Sequence, residues 1–537
     1  MTASQTVGRW LRRPQPDEVC ATVFVLAHAA LLLAWPAILA QDAPLWISEA
    51  ALLHSSFHSP PSGGCQLVTA LPPNAISQAV MALMCAVVSP DVAGRLYNVA
   101  CVALFAAALV YLCRARATAG REWIVCSCLP LCIGYPLFHG FLNYMTALPA
   151  LCFGIGVLLR RPAGRGVAAT SVLVGMPLFT YLCHGTAVGI WAVLVMVHVW
   201  VWRSRGFAVR ALPGFVPVVL LIGLYVAQRQ AEGATVLWSA GGVLATIGYR
   251  VRAPLRFFSV FPGFEPMVAD PTLAVAAPLL MIVNVGYAVA LSVIGIRWAW
   301  RARRSTDPAE RWLSASLLVL AGWFVIMPHD VAGMLNPAER LLVPAACIGA
   351  AGVTAASGGR RSANHQGARL RYASYVLLGA QWAYLAVWGT QAAHLTDAFL
   401  QTLDRYSAVP GVQVVEADGV FLPAEERSIR LPRPIELMTR HHVLLHQDIL
   451  DDWTHGRAIA PPTTGLFRCP GRRATATDLA ALRSAGQILL LIGDPARSST
   501  IAQLLEPDFH ATRSGPGFWT LVRSNAAPVS RLPRNPG

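Results

Sequence analysis

The residues of this chain that could do chemistry gather in a few short stretches. Asp42 follows the first long apolar run. A carboxylate at that water boundary can take the proton from an incoming hydroxyl as a general base; the same position also suits one that merely solvates the end of a span. Glu49, His54 and His58 follow at near-helical spacing, which fits either metal ligation or solvated side chains beside Ser and Pro. Arg250, Arg252 and Arg256 stand beside Phe257, Phe258 and Phe261. Guanidinium groups in such a setting can grip a phosphate or pyrophosphate through bidentate hydrogen bonds. The alternatives are anionic lipid headgroups, or pairing with Glu265 and Asp270. Between two later apolar runs, the stretch from Met327 to Arg340 concentrates His329, Asp330, Glu339 and Arg340, a density that reads as a site. His139 and His184 each end an apolar run and precede a glycine; they could line the same site or sit as satisfied interfacial histidines.

Other motifs carry less. Cys126, Cys128 and Cys132 lack the spacing of a metal site, and His441, His442, His446 and Asp448, which could suggest metal ligation with His442 and His446 on one helical face, are read as a surface helix. Gly493-Asp494-Pro495 is a turn. No phosphate-loop, dinucleotide or kinase fingerprint is present, so nothing supports an ATP-driven pump. Cys65 and Cys469 should face an oxidising compartment and could pair.

The elements that must position these groups are set by composition. Of 537 residues, 55% are hydrophobic and only 13% charged, against about 25% charged in an ordinary soluble protein. With a mean hydropathy of +0.51, the chain is read as a polytopic membrane protein. The net charge of +15 comes from Arg alone, since the sequence contains no Lys. Residues 1–392 hold 27 Arg against 13 acids, and residues 393–537 hold 15 against 14. The surplus therefore lies between apolar segments, which argues for a bilayer as partner and against nucleic acid.

Runs long enough to cross about 30 Å of hydrocarbon are read at 20–40, 92–113, 122–138, 141–159, 166–183, 186–202, 209–227, 272–297, 312–328, 338–357 and 372–392. That predicts eleven spans, the first an uncleaved anchor. Asn74–Ser89 is apolar but short and is introduced by Pro72-Pro73, so it is expected to lie on the outer membrane surface. With the N-terminus inside, 21 of the 27 Arg fall in cytoplasmic segments, which obeys the positive-inside rule. After residue 392 the chain is expected to form an outer α/β domain over 393–524, with helices Leu395–Tyr406, Thr477–Ser484 and Thr500–Leu505. Its strands are expected at Val412–Ala417, Gln487–Gly493 and Phe518–Arg523. A disordered tail is expected over 525–537.

The order of parts resembles the GT-C class of membrane glycosyltransferases. The resemblance rests on Asp42, on Pro72-Pro73-Asn74 with its helix, and on Pro90-Asp91-Val92-Ala93-Gly94-Arg95-Leu96. Gly140-Phe141-Leu142-Asn143-Tyr144 and Glu339-Arg340-Leu341 are further similar to bacterial proteins grouped with that class. It covers most of residues 1–392. It departs from the class in one respect: an acidic pair is common in the first loop there, whereas here Asp42 and Glu49 are separated. The resemblance implies an all-α polytopic fold and a polyprenyl-phosphate sugar donor, with a lipid, glycan or protein acceptor on the outer face. It also implies inverting displacement at the anomeric carbon. Asp42 or Glu49 would take the acceptor proton, and the outer arginines would stabilise the leaving phosphate. A divalent cation could assist, but no ligand set is visible. Two other classes of function remain open at this level: a transporter or flippase of a lipid-linked or small polar substrate, and a non-catalytic assembly partner acting through residues 393–537.

The Arg asymmetry generates a topology test. Reporter fusions after Arg114 and Arg203 are expected to report cytoplasm, and a fusion after Thr396 the outer side. An outside signal at Arg114 would make Asn74–Ser89 a true span.

Overall fold

Lipid offers no hydrogen-bond partner to a backbone N–H or C=O, so apolar segments in a bilayer satisfy these groups internally as helices. The computed structural model describes residues 15–34, 43–58, 66–67, 71–115, 122–231, 243–262, 271–327, 330–331, 334–335, 337–356 and 364–407, and strands between 412 and 523. The helices are α1 (Pro16–Ala34), α2 (Ala43–Ser56), α3 (Ile76–Met84), α4 (Pro90–Cys113), α5 (Glu122–Cys128), α6 (Tyr135–Phe138), α7 (Leu142–Arg160) and α8 (Val167–Cys183). They continue with α9 (Gly185–Trp202), α10 (Arg205–Ala231), α11 (Val243–Phe257), α12 (Pro271–Ala302), α13 (Pro308–Ile326), α14 (Leu342–Ala356) and α15 (Asn364–Ser407). Among the described residues α1, α4, α7, α9, α10, α12 and α13 contain stretches long and apolar enough to cross a membrane.

The other four expected spans take different forms. The run 122–138 is broken into α5, a 3-10 turn at Leu129–Ile133 and α6. Pro130 and Pro136 lack the N–H that a continuous helix needs. The run 166–183 forms α8, of 17 residues. The run 338–357 begins as a 3-10 turn, Pro337–Leu341, and its helix α14 starts only at Leu342, so Glu339 and Arg340 stand outside it. The run 372–392 lies inside α15, which continues unbroken to Ser407 through Leu395–Tyr406.

Two stretches read as loops contain helices. Glu49 and His54 lie on α2, and Arg250, Arg252 and Arg256 lie on α11. At 9 residues, α3 is too short to cross a bilayer, at about 1.5 Å of rise per residue. Asn74 just before it has φ 81°, a left-handed conformation that Asn tolerates better than most residues.

Helix α7 is the hub of the packing, with most of its residues buried. Trp191, Trp312 and Trp388 are fully buried around the same core, and the Trp312 indole donates to the Leu194 carbonyl at 3.0 Å. Polar ties fasten α1 to α4. Arg114 pairs with Asp17 and Glu18 at one end, and His28 meets Asn98 at 2.9 Å in the interior.

The described strands are β1 (Gln66–Leu67), β2 (Asp330–Val331), β3 (Met334–Leu335), β4 (Val412–Glu416), β5 (Leu444–Leu445), β6 (Phe467–Arg468), β7 (Gln487–Leu491), β8 (Phe509–Gly515) and β9 (Phe518–Arg523). A mixed sheet runs in the order β5-β4-β7-β9-β8. Strands β4, β7 and β9 coincide with sequence-predicted strands, whereas β8 was not expected. Strand β5 places Leu444–Leu445, between His442 and His446, in a strand where a surface helix was expected, its backbone pairing with β4 instead of closing helical hydrogen bonds. The expected helices Thr477–Ser484 and Thr500–Leu505 and the tail 525–537 lie outside the described residues. Strand β1 pairs antiparallel with β6, with Gln66 opposite Arg468. Cys65 and Cys469, which flank this pair in sequence, lie outside the described residues.

Helices α8 and α10 approach closely at Gly214. A Cβ there would stand 2.6 Å from the Val174 carbonyl oxygen, whereas at Gly223 it would meet nothing within 4 Å. Gly214→Ala is therefore expected to cost about 1–3 kcal/mol as an overpacked contact and to lower the thermal midpoint in detergent. Gly223→Ala should be neutral or mildly stabilising. Equal midpoints for the two variants would refute the close approach.

Candidate functional site

A turn and a helix meet where the chemistry-bearing residues collect. The 3-10 turn Pro337–Leu341 carries Glu339, which is only 5% exposed. Its carboxylate is hydrogen-bonded by the Tyr249 hydroxyl and lies in the field of the guanidinium groups of Arg340, Arg256 and Arg250. Burial pushes this carboxyl upward, and the tyrosine hydrogen bond and the three cations oppose the rise. Burial, reinforced by Glu339, likewise holds the Tyr249 phenol in its neutral form.

Each cation has its own support. Arg250 donates to the Met327 carbonyl at the end of α13, and its guanidinium lies 5.2 Å from the Phe324 ring centre. Its Nε and Nη1 are buried and find no protein acceptor among the described residues. Arg340 is anchored through its backbone, whose carbonyl accepts from the Tyr144 hydroxyl at 2.7 Å. Its guanidinium lies 5.0 Å from the centre of Phe141, a cation–π arrangement. Arg256 stays exposed yet acts electrostatically on both Glu339 and His139.

The two span-end histidines border this cluster. His139 ends α6 and sits against Tyr135 with ring centres 3.8 Å apart. Gly140 follows with φ 72°, a left-handed turn suited to glycine that carries the chain into α7. Burial, with Arg256 adding to it, pushes the His139 imidazole down to about 3. His184 caps α9, its Nδ1 accepting from the Thr186 N–H at 3.2 Å, so its proton is assigned to Nε2. Burial and Arg340 hold it well below the usual histidine range. Both rings are neutral at physiological pH.

The structure thus brings together Arg250, Arg256, Glu339, Arg340, His139 and His184. It sets Arg252 apart. That side chain is exposed, and it is not among the groups acting on Glu339. Asp42 and His329 lie outside the described residues, as do Glu265 and Asp270, so the expected carboxylate partners of the arginines are not described. The backbone of Asp330 pairs with Leu335 in the β2–β3 ladder. Glu49 takes part in a separate polar network, accepting from the Gln78 amide at 3.0 Å. The His54 and His58 rings lie 5.3 Å apart. No group of three or more His, Cys, Asp or Glu that could hold a metal occurs among the described residues.

Sequence reasoning missed Tyr249 and Gln78. The first was signalled only by its place beside Arg250, the second by the proline-introduced helix that carries it. Chemically, three cations around one carboxylate leave a surplus of positive charge beside two neutral imidazoles, which suits a multiply charged oxyanion.

Comparison with solved structures gives matches over nearly the whole chain. ArnT from Cupriavidus metallidurans in the apo state matches with a TM-score of 0.50 at 11% identity, over 93% of this chain and 98% of that one. The same protein bound to undecaprenyl phosphate matches at 0.52 and 13% identity, over 95% and 98%. The fold is shared with ArnT. The sequence resemblance implied an all-α polytopic fold, and the fold found over most of the chain is the one shared with ArnT. At such low identity the likeness to ArnT is one of fold. No family model and no curated protein matches the sequence.

The buried imidazole generates a pH test. His139 has a folded value of about 3, against about 6.5 in an unfolded chain. The unfolded state therefore binds more protons between these values. The stability that His139 contributes is fully present above about pH 6.5 and is lost as pH falls toward 3, by up to about 1.4 kcal/mol per pH unit. The thermal midpoint should fall on acidification from about pH 7 to about pH 5, and His139→Gln should flatten that fall. Identical slopes in the two proteins would contradict the assignment.

Proposed function

We propose that this chain is an integral membrane glycosyltransferase that moves a sugar from a polyprenyl-phosphate carrier to an acceptor hydroxyl. The observation that carries the reading is the cluster of Arg250, Arg256 and Arg340 around Glu339, in a chain whose fold matches ArnT captured with undecaprenyl phosphate. In this reading the protein is a multi-pass protein of the inner membrane with its N-terminus in the cytoplasm. The site faces the outer side, as does the domain proposed for 393–524. The acceptor is an extracytoplasmic lipid, glycan or protein.

The reaction follows from these groups. The acceptor oxygen attacks the anomeric carbon from the face opposite the carrier, forming the new glycosidic bond as the bond from carbon to phosphate oxygen breaks. The electron pair leaves with the phosphate, whose growing charge the guanidinium groups stabilise. The hydroxyl proton passes to Asp42 or Glu49 as general base. Neutral His139 and His184 add no further positive charge and can hydrogen-bond to sugar or phosphate oxygens. Glu339, with Tyr249, holds the arginines in place before the donor arrives.

Single Arg→Lys exchanges test the reading, because lysine keeps the charge but not the planar fork. Losing one charged hydrogen bond costs about 1.5–3 kcal/mol, or about 10- to 150-fold in rate if it acts in the transition state. Arg250→Lys, Arg256→Lys and Arg340→Lys should each show such losses in a membrane transfer assay at matched protein levels. Arg252→Lys, at a position that is not among the groups acting on Glu339, should stay at the wild-type rate. Full activity in the first three variants would remove the chemical support for a phosphate-linked donor.

A further inference from the structure

Helix α3 begins without a side-chain cap of its own, because Ala75 stands at its N-cap and offers no oxygen to the unpaired N–H groups of the first turn. One of those groups, the N–H of Ser77, donates instead to Asn143 Oδ1 of α7 at 3.0 Å. A backbone N–H can only donate, so this bond sets which way the Asn143 amide points. Asn143 Nδ2 then donates to Gln78 Oε1 at 3.1 Å, and the Ser77 hydroxyl donates to the same oxygen at 2.9 Å. With Oε1 accepting twice, the Gln78 amide turns its Nε2 to Glu49 Oε2, 3.0 Å away.

The polarity of the whole chain is thus set by one backbone donor. Gln78 is 0% exposed and Asn143 3%, so neither amide can turn over without stranding a buried polar group, at a cost of about 1–3 kcal/mol. An N–H aimed at a carboxyl group favours its ionised form.

We propose that Gln78 is a positioning residue for Glu49, oriented by Asn143 and the Ser77 backbone, and that it keeps Glu49 ionised and ready to accept a proton. The inference rests on the proposed role of Glu49 as a base, and it extends that role to two amides which do not themselves touch the reacting atoms.

Asn143→Asp is the sharpest test, because it nearly preserves shape. The new carboxylate can still accept from the Ser77 N–H but cannot donate to Gln78. The Gln78 amide is then expected to turn and present Oε1 to Glu49, although residue 143 has no contact with Glu49 in the chain of bonds. Gln78→Leu removes the donor outright and serves as the second variant. The readout is the ionisation of Glu49 in the purified full-length protein, followed by infrared difference spectra against Glu49→Gln as pH is varied. The midpoint should rise by about one pH unit in both variants, and the acidic limb of the transfer rate should move with it. Unchanged midpoints in folded protein would overturn the proposal while leaving the glycosyltransferase reading intact. Wild-type transfer by Glu49→Gln would overturn it through its premise, whatever the titration shows.

Discussion

A carboxylate that is 5% exposed cannot keep its charge without cations nearby, and much of the candidate site is arranged around that requirement at Glu339. Its neighbours come from two elements distant in sequence. Tyr249, Arg250 and Arg256 arrive on α11, and Arg340 comes from the same 3-10 turn as Glu339. Removing one of these cations leaves the buried Glu339 carboxylate less well balanced, which is costly. Burial keeps the two imidazoles neutral, and the same charges reinforce it, since protonating His139 or His184 would place another cation beside Arg256 or Arg340.

The first turn of α7 links this cluster to the rest of the chain. Two consecutive residues face different partners: Asn143 binds α3 through Ser77 and Gln78, and Tyr144 binds the Arg340 carbonyl. Gly140 and the short α6 deliver His139 to the same end. Because most of α7 is buried, neither side chain can shift far without disturbing the core. A carboxylate on α2 and a cation cluster spread over α11 and the 3-10 turn thus share one rigid support. The stretch before α3 is held in turn by α8, where the Tyr181 hydroxyl donates to the Leu71 carbonyl at 2.9 Å.

Several elements were legible in the residues themselves. The short α3 after Pro72-Pro73 could be read from its proline entry and its length. The arginines around Phe257 stood out because cations between apolar runs are expensive unless they have partners. Reading that stretch as a loop hid the separation of its three arginines, which differ in exposure and in partners once wound onto α11. The break at 122–138 was legible in principle from Pro130 and Pro136, but its composition masked it, since every segment of the run is apolar.

Membrane residence and the approximate rhythm of apolar and Arg-rich segments were determined by the sequence alone, because both are sums over residues that need no partner. The tertiary structure decided which guanidinium groups act on which carboxylate. Glu339 is one acid among many until the 3-10 turn brings it to Tyr249 and the arginines of α11. Gln78 is one amide among many until the Ser77 N–H, acting through Asn143, orients it toward Glu49. These outcomes depend on donor, acceptor and burial coinciding between segments far apart in the chain, and no local pattern records that coincidence.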